Sequence, residues 1–204
     1  KFKKWEVTTL QKKIGILIEA HFDETEFHKF NEFFPANGYD VEHLSYLWGQ
    51  PSLTFKGNDF TSEITVSTCL TKVLPSDYKG IILIGGYAMD RLRYEEHPKK
   101  GQTNRAPAVE FLRESVKMMD AGKLKIGTIC HSLWLFCAEP KLLNGRKVTC
   151  AHNILYDVQN AGGEVIFDGD QTIDINIDGG LICGRHPGVT DKFLQVYLGE
   201  LNKM

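Results

Sequence analysis

The chain has 204 residues, 42% hydrophobic and 25% charged, with 19 glycines and 7 prolines, enough for one domain with a sizeable core. A formal net charge of −2 gives no electrostatic reason to expect nucleic acid or an anionic membrane as partner. The basic stretch KFKKWEVTTLQKK lacks the apolar centre of a signal peptide, and no apolar run approaches a membrane span, so a cytoplasmic protein is the expectation.

Residues 1–12 read as an N-terminal extension to a single domain. Ile14-Gly15-Ile16-Leu17-Ile18 is an unbroken apolar run of strand length. The stretch from Thr25 to Asn37 follows with Phe27, Phe30, Phe33 and Phe34 at helical spacing, and Asn37-Gly38 stops it. Tyr39 to Leu44 starts a second strand, Gln50 to Val66 reads as loop with short strands, and Gly80-Ile81-Ile82-Leu83-Ile84 is a third buried strand closed by Gly85-Gly86. The polar run YEEHPKKGQTNR puts an exposed loop over 94–106. A helix is expected from Pro107 to Ala121, with proline in its first turn and Gly122 beyond its end.

Ile126 to Ile129 is the next strand, with a helix from Ser132 onward. Arg146 to Cys150 reads as a strand and Asn153 to Asn160 as a helix. Short strands around 164–167, 172–177 and 180–183 precede a last helix over Thr190–Leu201. This alternation predicts an α/β fold: a doubly wound, mostly parallel sheet with helices on both faces and its site at the carboxyl ends of the strands.

Five cysteines, at 69, 130, 137, 150 and 183, include no CxxC pair and make no disulfide framework. Cys69, Cys137 and Cys183 read as small core hydrophobes. Cys150 is either core packing or a resolving thiol. Cys130-His131 is different, because it stands where a strand runs straight into a helix. That junction is a nucleophile elbow, with Thr128 and Ser132 where such elbows often carry glycine. A thiol over a helix N-terminus would have its pKa lowered. The His131 amide and one from Gly85-Gly86 would face an oxyanion. The alternative is a buried core cysteine beside a solvent-facing histidine.

No zinc spacing, HExxH, dinucleotide fingerprint or Walker motif occurs, so neither metal nor cofactor is expected. Asp23, Glu24 and Glu26 together suit the first turn of a helix.

The ordered set Ile14–Ile18, Phe22-Asp23-Glu24-Thr25-Glu26, Ile84-Gly85-Gly86, Thr128-Ile129-Cys130-His131, Asn144-Gly145-Arg146-Lys147-Val148-Thr149 and Asn160-Ala161-Gly162 resembles the ThiJ/PfpI superfamily over about 13–198. The resemblance implies a flavodoxin-like, class I glutamine-amidotransferase-like fold, nearest the PfpI-like or glyoxalase III-like branches. It makes Cys130 the nucleophile, Glu26 a protonated acid beside its sulfur, and His131 the base or proton carrier. Asp90 matches a carboxylate that would complete the triad from a neighbouring subunit, and a homodimer or larger assembly is implied. Ser132-Leu133 departs from the usual glycine-proline, and Ala151 stands where some relatives carry a histidine, leaving His152 one residue out of register. The implied activity is a cofactor-free, glyoxalase III-like reaction on a small electrophilic carbonyl. A PfpI-type cysteine peptidase or amidase, and a redox-sensing stress protein or holdase, are the alternatives.

Overall fold

A computed structural model describes residues 12–204; the expected N-terminal extension lies, but for Lys12, outside them. The chain enters through β1 (Lys13–Leu17), where Ile14, Ile16 and Leu17 are wholly buried, as an unbroken apolar run requires. Asp23 caps α1 (Glu24–Ala36) by accepting the Glu26 N–H at 2.9 Å. Phe30 and Phe34 are fully buried on its inner face, worth roughly 1.5–3 kcal/mol each. Next come β2 (Asp40–Ser45), an antiparallel hairpin of β3 (Leu53–Lys56) and β4 (Glu63–Val66), edge strand β5 (Thr68–Cys69) and β6 (Gly80–Leu83). The short α2 (Ala88–Leu92), then α3 (Pro107–Asp120), lead to β7 (Lys125–Ile129) and a single-turn α4 (Trp134–Cys137).

The remainder comprises β8 (Lys147–Val148), α5 (Leu155–Asn160), β9 (Glu164–Val165), a small β10–β11 hairpin (Phe167–Asp168, Gln171–Thr172), β12 (Ile175–Asp178), β13 (Leu181–Gly184) and α6 (Thr190–Leu201). The main sheet has seven strands in the order β12-β13-β7-β6-β1-β2-β5, parallel throughout except for the β12–β13 pair. The inner order β2-β1-β6-β7-β13 is the flavodoxin-like winding, with its direction reversing between β1 and β6. Helix α6 packs on β7 and β13 and against α1, while α3 packs on β7 with α2 and α4. The Tyr197 hydroxyl ties α6 to the sheet by donating to the Ile81 and Lys125 carbonyls at 3.1 Å each.

Two expectations need correction. The strand expected over Arg146 to Cys150 pairs only at Lys147–Val148, with β9, outside the main sheet. Beyond Val148, side-chain hydroxyls replace ladder bonds: Thr149 donates to the Ile173 carbonyl, and Thr172 donates to that of Cys150 at 2.7 Å. Secondly, Cys150 and Cys183 are fully buried, but Cys69 and Cys137 are only partly covered; Cys69 sits on the edge strand, where one face has no neighbour. Among the described residues no helix is long and apolar enough to cross a membrane.

Candidate active site

The carboxyl ends of β6 and β7 meet the loop after β1, beside the point where the winding reverses. Cys130 leaves β7 with φ 58°, in the left-handed region that costs a residue with a Cβ about 1–2 kcal/mol. Neighbouring hydrogen bonds hold it there. The Cys130 N–H donates to the Gly184 carbonyl at 3.1 Å, and the Ala151 N–H donates to the Cys130 carbonyl at 3.2 Å. The Ile129 N–H donates to Ser132 Oγ at 2.8 Å, while the Ser132 N–H returns to the Ile129 carbonyl at 3.1 Å. Serine at 132 therefore closes the elbow with its hydroxyl where a glycine would only make room.

Cys130 is 6% exposed, and the backbone N–H groups of Gly86 and His131 favour its thiolate. Gly85 does something else. Its N–H donates to Glu26 Oε2 at 2.6 Å, so the glycine pair divides into one amide for the acid and one for the sulfur. A Cβ on Gly85 would lie 2.5 Å from Glu26 Oε1 and 2.8 Å from the Cys130 Cβ. A bare α-carbon is what lets the carboxyl and the cysteine share this space.

Glu26 is wholly buried, and its Oε1 has no hydrogen-bond partner among the described residues. Burial first, then the charge of Asp23, push its pKa well above the ordinary carboxylate range, against the pull of the Gly85 amide. The surroundings therefore favour the protonated acid. For the thiol, the expectation of a lowered pKa is corrected. Burial and the neighbouring Glu26 push Cys130 up, while the Gly86 and His131 amides pull it down. The helix offers little help, because it begins only at Trp134 and has four residues, too few to sum a macrodipole. Burial opposes the charged form of both groups, and two negative charges this close oppose one another.

Glu26→Gln, which mimics the protonated acid, is expected to keep iodoacetamide alkylation of Cys130 within about threefold of wild type, and Glu26→Leu to slow it about tenfold or more. A raised acid weakens the fold progressively as pH climbs above 4.5. The glutamine variant should thus melt higher than wild type at pH 7, with the gap closing towards pH 4.

His131 does not hydrogen-bond the thiol among the described contacts. Its Nε2 meets Asn153 Oδ1 at 2.8 Å, and among the described residues its Nδ1 is buried without a hydrogen-bond partner. The ring packs against Trp134 at 4.9 Å and edge-on to Tyr87 at 5.6 Å between centroids. Burial lowers its pKa, opposed by Asn153 and the Gly86 carbonyl side, so the imidazole is neutral and able to take a proton. Asp90 is half exposed and bound to Arg93, its Oδ1 accepting from Nε at 3.0 Å; within one chain its partner is this arginine. Of the other acids, Asp23 is the helix cap. Glu24 pins the loop after β3 by accepting from the Asp59 and Thr61 amides and the Thr61 hydroxyl. Burial opposes its ionisation, yet the Thr61 and Ser62 donors hold its pKa at about 2.

His152 accepts the Thr172 N–H at 3.2 Å, and His186 accepts that of Gly188 at 3.0 Å, so both are turn-fixing residues. A cleft of about 780 Å3 opens beside the site, lined by Tyr87, Asp90, Arg91, His21, Trp48 and their neighbours. Tyr87 is its shared wall with His131. Among the described residues no group of three or more His, Cys, Asp or Glu is placed to hold a metal.

A flavodoxin-like sheet with a left-handed cysteine elbow over two amides and a buried acid defines the amidotransferase-like class of α/β proteins. Within that class the chain belongs to the DJ-1/PfpI family, whose profile matches residues 12–200. It is 30% identical over 169 residues to "Protein/nucleic acid deglycase 2" of Escherichia coli (strain K12), covering 80% of this chain and 88% of that one. It is 28% identical over 192 residues to "General stress protein 18" of Bacillus subtilis (strain 168), covering 94% and 99%. Among solved structures, a ThiJ/PfpI domain protein from Brachyspira murdochii superposes with a TM-score of 0.76 at 13% identity, covering 95% of this chain and 98% of that one. Drosophila melanogaster DJ-1beta does so with 0.71 at 17%, covering 95% of each.

Proposed function

We propose that the protein is an enzyme in which the Cys130 thiolate attacks a small electrophilic carbonyl, in a glyoxalase III-like reaction. The observation that carries this reading is the pairing of a thiol held by two amides with a buried, protonated Glu26. It supplies a nucleophile and a proton at one point in a closed site.

With an α-ketoaldehyde, the sulfur adds to the aldehyde carbon and the carbonyl π pair moves to oxygen, which takes the Glu26 proton to give a hemithioacetal. As the C–S bond forms, negative charge passes from sulfur to an oxygen beside the amides of Gly86 and His131. His131 removes the proton from the thiol-bearing carbon and returns it to the neighbouring carbon through an enediol, while the first oxygen's proton passes by way of Glu26 to the second oxygen; the water that later cleaves the thioester gives Glu26 its proton back. The product is a thioester of a 2-hydroxy acid. Water cleaves its C–S bond, restoring the thiol and releasing the acid. One carbon is oxidised and its neighbour reduced, so no outside oxidant enters.

The name of the Escherichia coli relative, a deglycase, favours a second form of the same electrophile: a carbonyl adduct on a protein or nucleic-acid amine. An acyl-transfer peptidase is less well supported, because Cys130 and His131 are only 6% and 9% exposed and an extended peptide needs an open groove. Rapid mixing with methylglyoxal without glutathione, quenched in acid, should leave a Cys130-linked adduct by peptide mass spectrometry that Cys130→Ala lacks. An acyl burst with a peptide anilide and no such adduct would favour the peptidase instead.

A further inference from the structure

The geometry points to Asn153 as the positioning residue that fixes the tautomer of His131, so that the Cys130-His131 pair is completed within one subunit. Asn153 Oδ1 can only accept, so at 2.8 Å from Nε2 it fixes the ring proton on Nε2 and leaves the lone pair on Nδ1. That is the nitrogen which, among the described residues, is buried without a hydrogen-bond partner. A buried acceptor with nothing to accept is costly in a resting protein and useful where a substrate proton has to arrive.

The rest of the setting keeps the ring in this pose. Trp134 and Tyr87 close on it from two sides. Trp134 is itself anchored, its Nε1–H donating to Asp157 Oδ2 at 2.8 Å and the Arg93 guanidinium lying 5.4 Å over its ring. Asn153 stands on the turn His152–Ile154, and that turn is fastened to the elbow by the Ala151 N–H on the Cys130 carbonyl. Nucleophile, base and orienting group are thus joined by one short stretch of backbone. An amide carries no charge, so it orients the imidazole without the strong rise in basicity that a carboxylate gives. The charged or titratable groups that bear on the ring are Asp23 from the α1 cap, His186 from the turn before α6 and the edge-on Tyr87 phenol. Asp90, bound to Arg93, is not among them.

The proposal rests on the reading of His131 as the proton carrier, and its test is separable from turnover. Nitrogen-15 NMR of His131 should show the neutral ring protonated at Nε2 in the wild type, and the Nδ1–H form or a mixture in Asn153→Ala. Asn153→Asp should restore the Nε2–H form and move the His131 titration upward by about one pH unit or more. If the carbonyl reaction is the activity, Asn153→Ala should lower kcat by about 10- to 100-fold with KM within threefold, and Asn153→Asp should carry the acid limb of the pH profile upward with the titration. Asn153 is exposed, and circular dichroism would establish that both variants fold. An unchanged tautomer in folded Asn153→Ala would overturn the proposal. So would a titration that Asp90→Asn moves and Asn153→Asp does not, which would hand the role to a carboxylate from a second subunit. Tautomer and titration changes without any carbonyl turnover would uphold Asn153 and sink the activity reading alone.

Discussion

Cys130→Gly is expected to be inactive and yet more stable than Cys130→Ala by about 1 kcal/mol. At most positions the order is the reverse, because glycine loses more backbone entropy on folding. At φ 58° an alanine keeps the clash between Cβ and the following carbonyl, while glycine is free of it. Both variants lose the sulfur, and glycine loses the buried Cβ as well, which works against the expected order, so a more stable glycine variant reports backbone strain. Both should lose about a thousandfold or more in turnover, since nothing else at the elbow can form the covalent bond. Urea denaturation of the pair is the measurement. An alanine variant as stable as the glycine variant would mean the elbow stores no strain, and the nucleophile would owe its exposure at the sheet edge to something else.

Gly86→Ala is expected to destabilise the protein by about 3–5 kcal/mol. Its φ is +70°, and a Cβ there would stand 2.3 Å from the His21 carbonyl oxygen and 2.6 Å from the Asp23 nitrogen. Both are backbone atoms, fixed by the Tyr87 N–H on the His21 carbonyl at 2.8 Å and the Asp23 N–H on the Gly85 carbonyl at 3.2 Å, so neither can rotate aside. Gly122 is the internal control. Its φ is +73° with nothing within 4 Å, and Gly122→Ala should cost only about 1 kcal/mol. Chemical denaturation of the two variants separates conformational strain from close approach. Equal losses would show that the loop at 86 gives way, and that the Gly86 amide is not rigidly aimed at the sulfur.

The sequence pattern reads furthest where local chemistry and burial agree. The last helix runs over Thr190–Leu201 as its spacing predicts, and α1 begins one residue before the expected Thr25 because Asp23 takes the cap. The inner strands follow from their apolar runs, and the fold family follows from the order of the motifs. At Arg146 to Cys150 the local pattern does not suffice, since the partners that end that strand, the Ile173 carbonyl and the Thr172 hydroxyl, lie more than twenty positions away. The ionisation of the thiol was likewise illegible. A helix start can be read locally, but the burial that opposes it is a property of the assembled sheet. Glu24 is the first-turn acid that the sequence suggests and also a buried staple for a distant loop.

Asn153 escaped for a different reason. An amide cannot titrate, and its neighbours Ala151 and His152 carry the family pattern there. Only the turn after Cys150, folded back onto the elbow, brings its amide to the imidazole.

The central claim is that Cys130 performs carbonyl chemistry. Methylglyoxal loss and lactate formation, followed without glutathione for the wild type and Cys130→Ala, test it most directly. Lactate produced by the reduced wild type and absent with the folded mutant is the result expected here. Absence of turnover by a folded, reduced wild type, or equal turnover by both proteins, would contradict it.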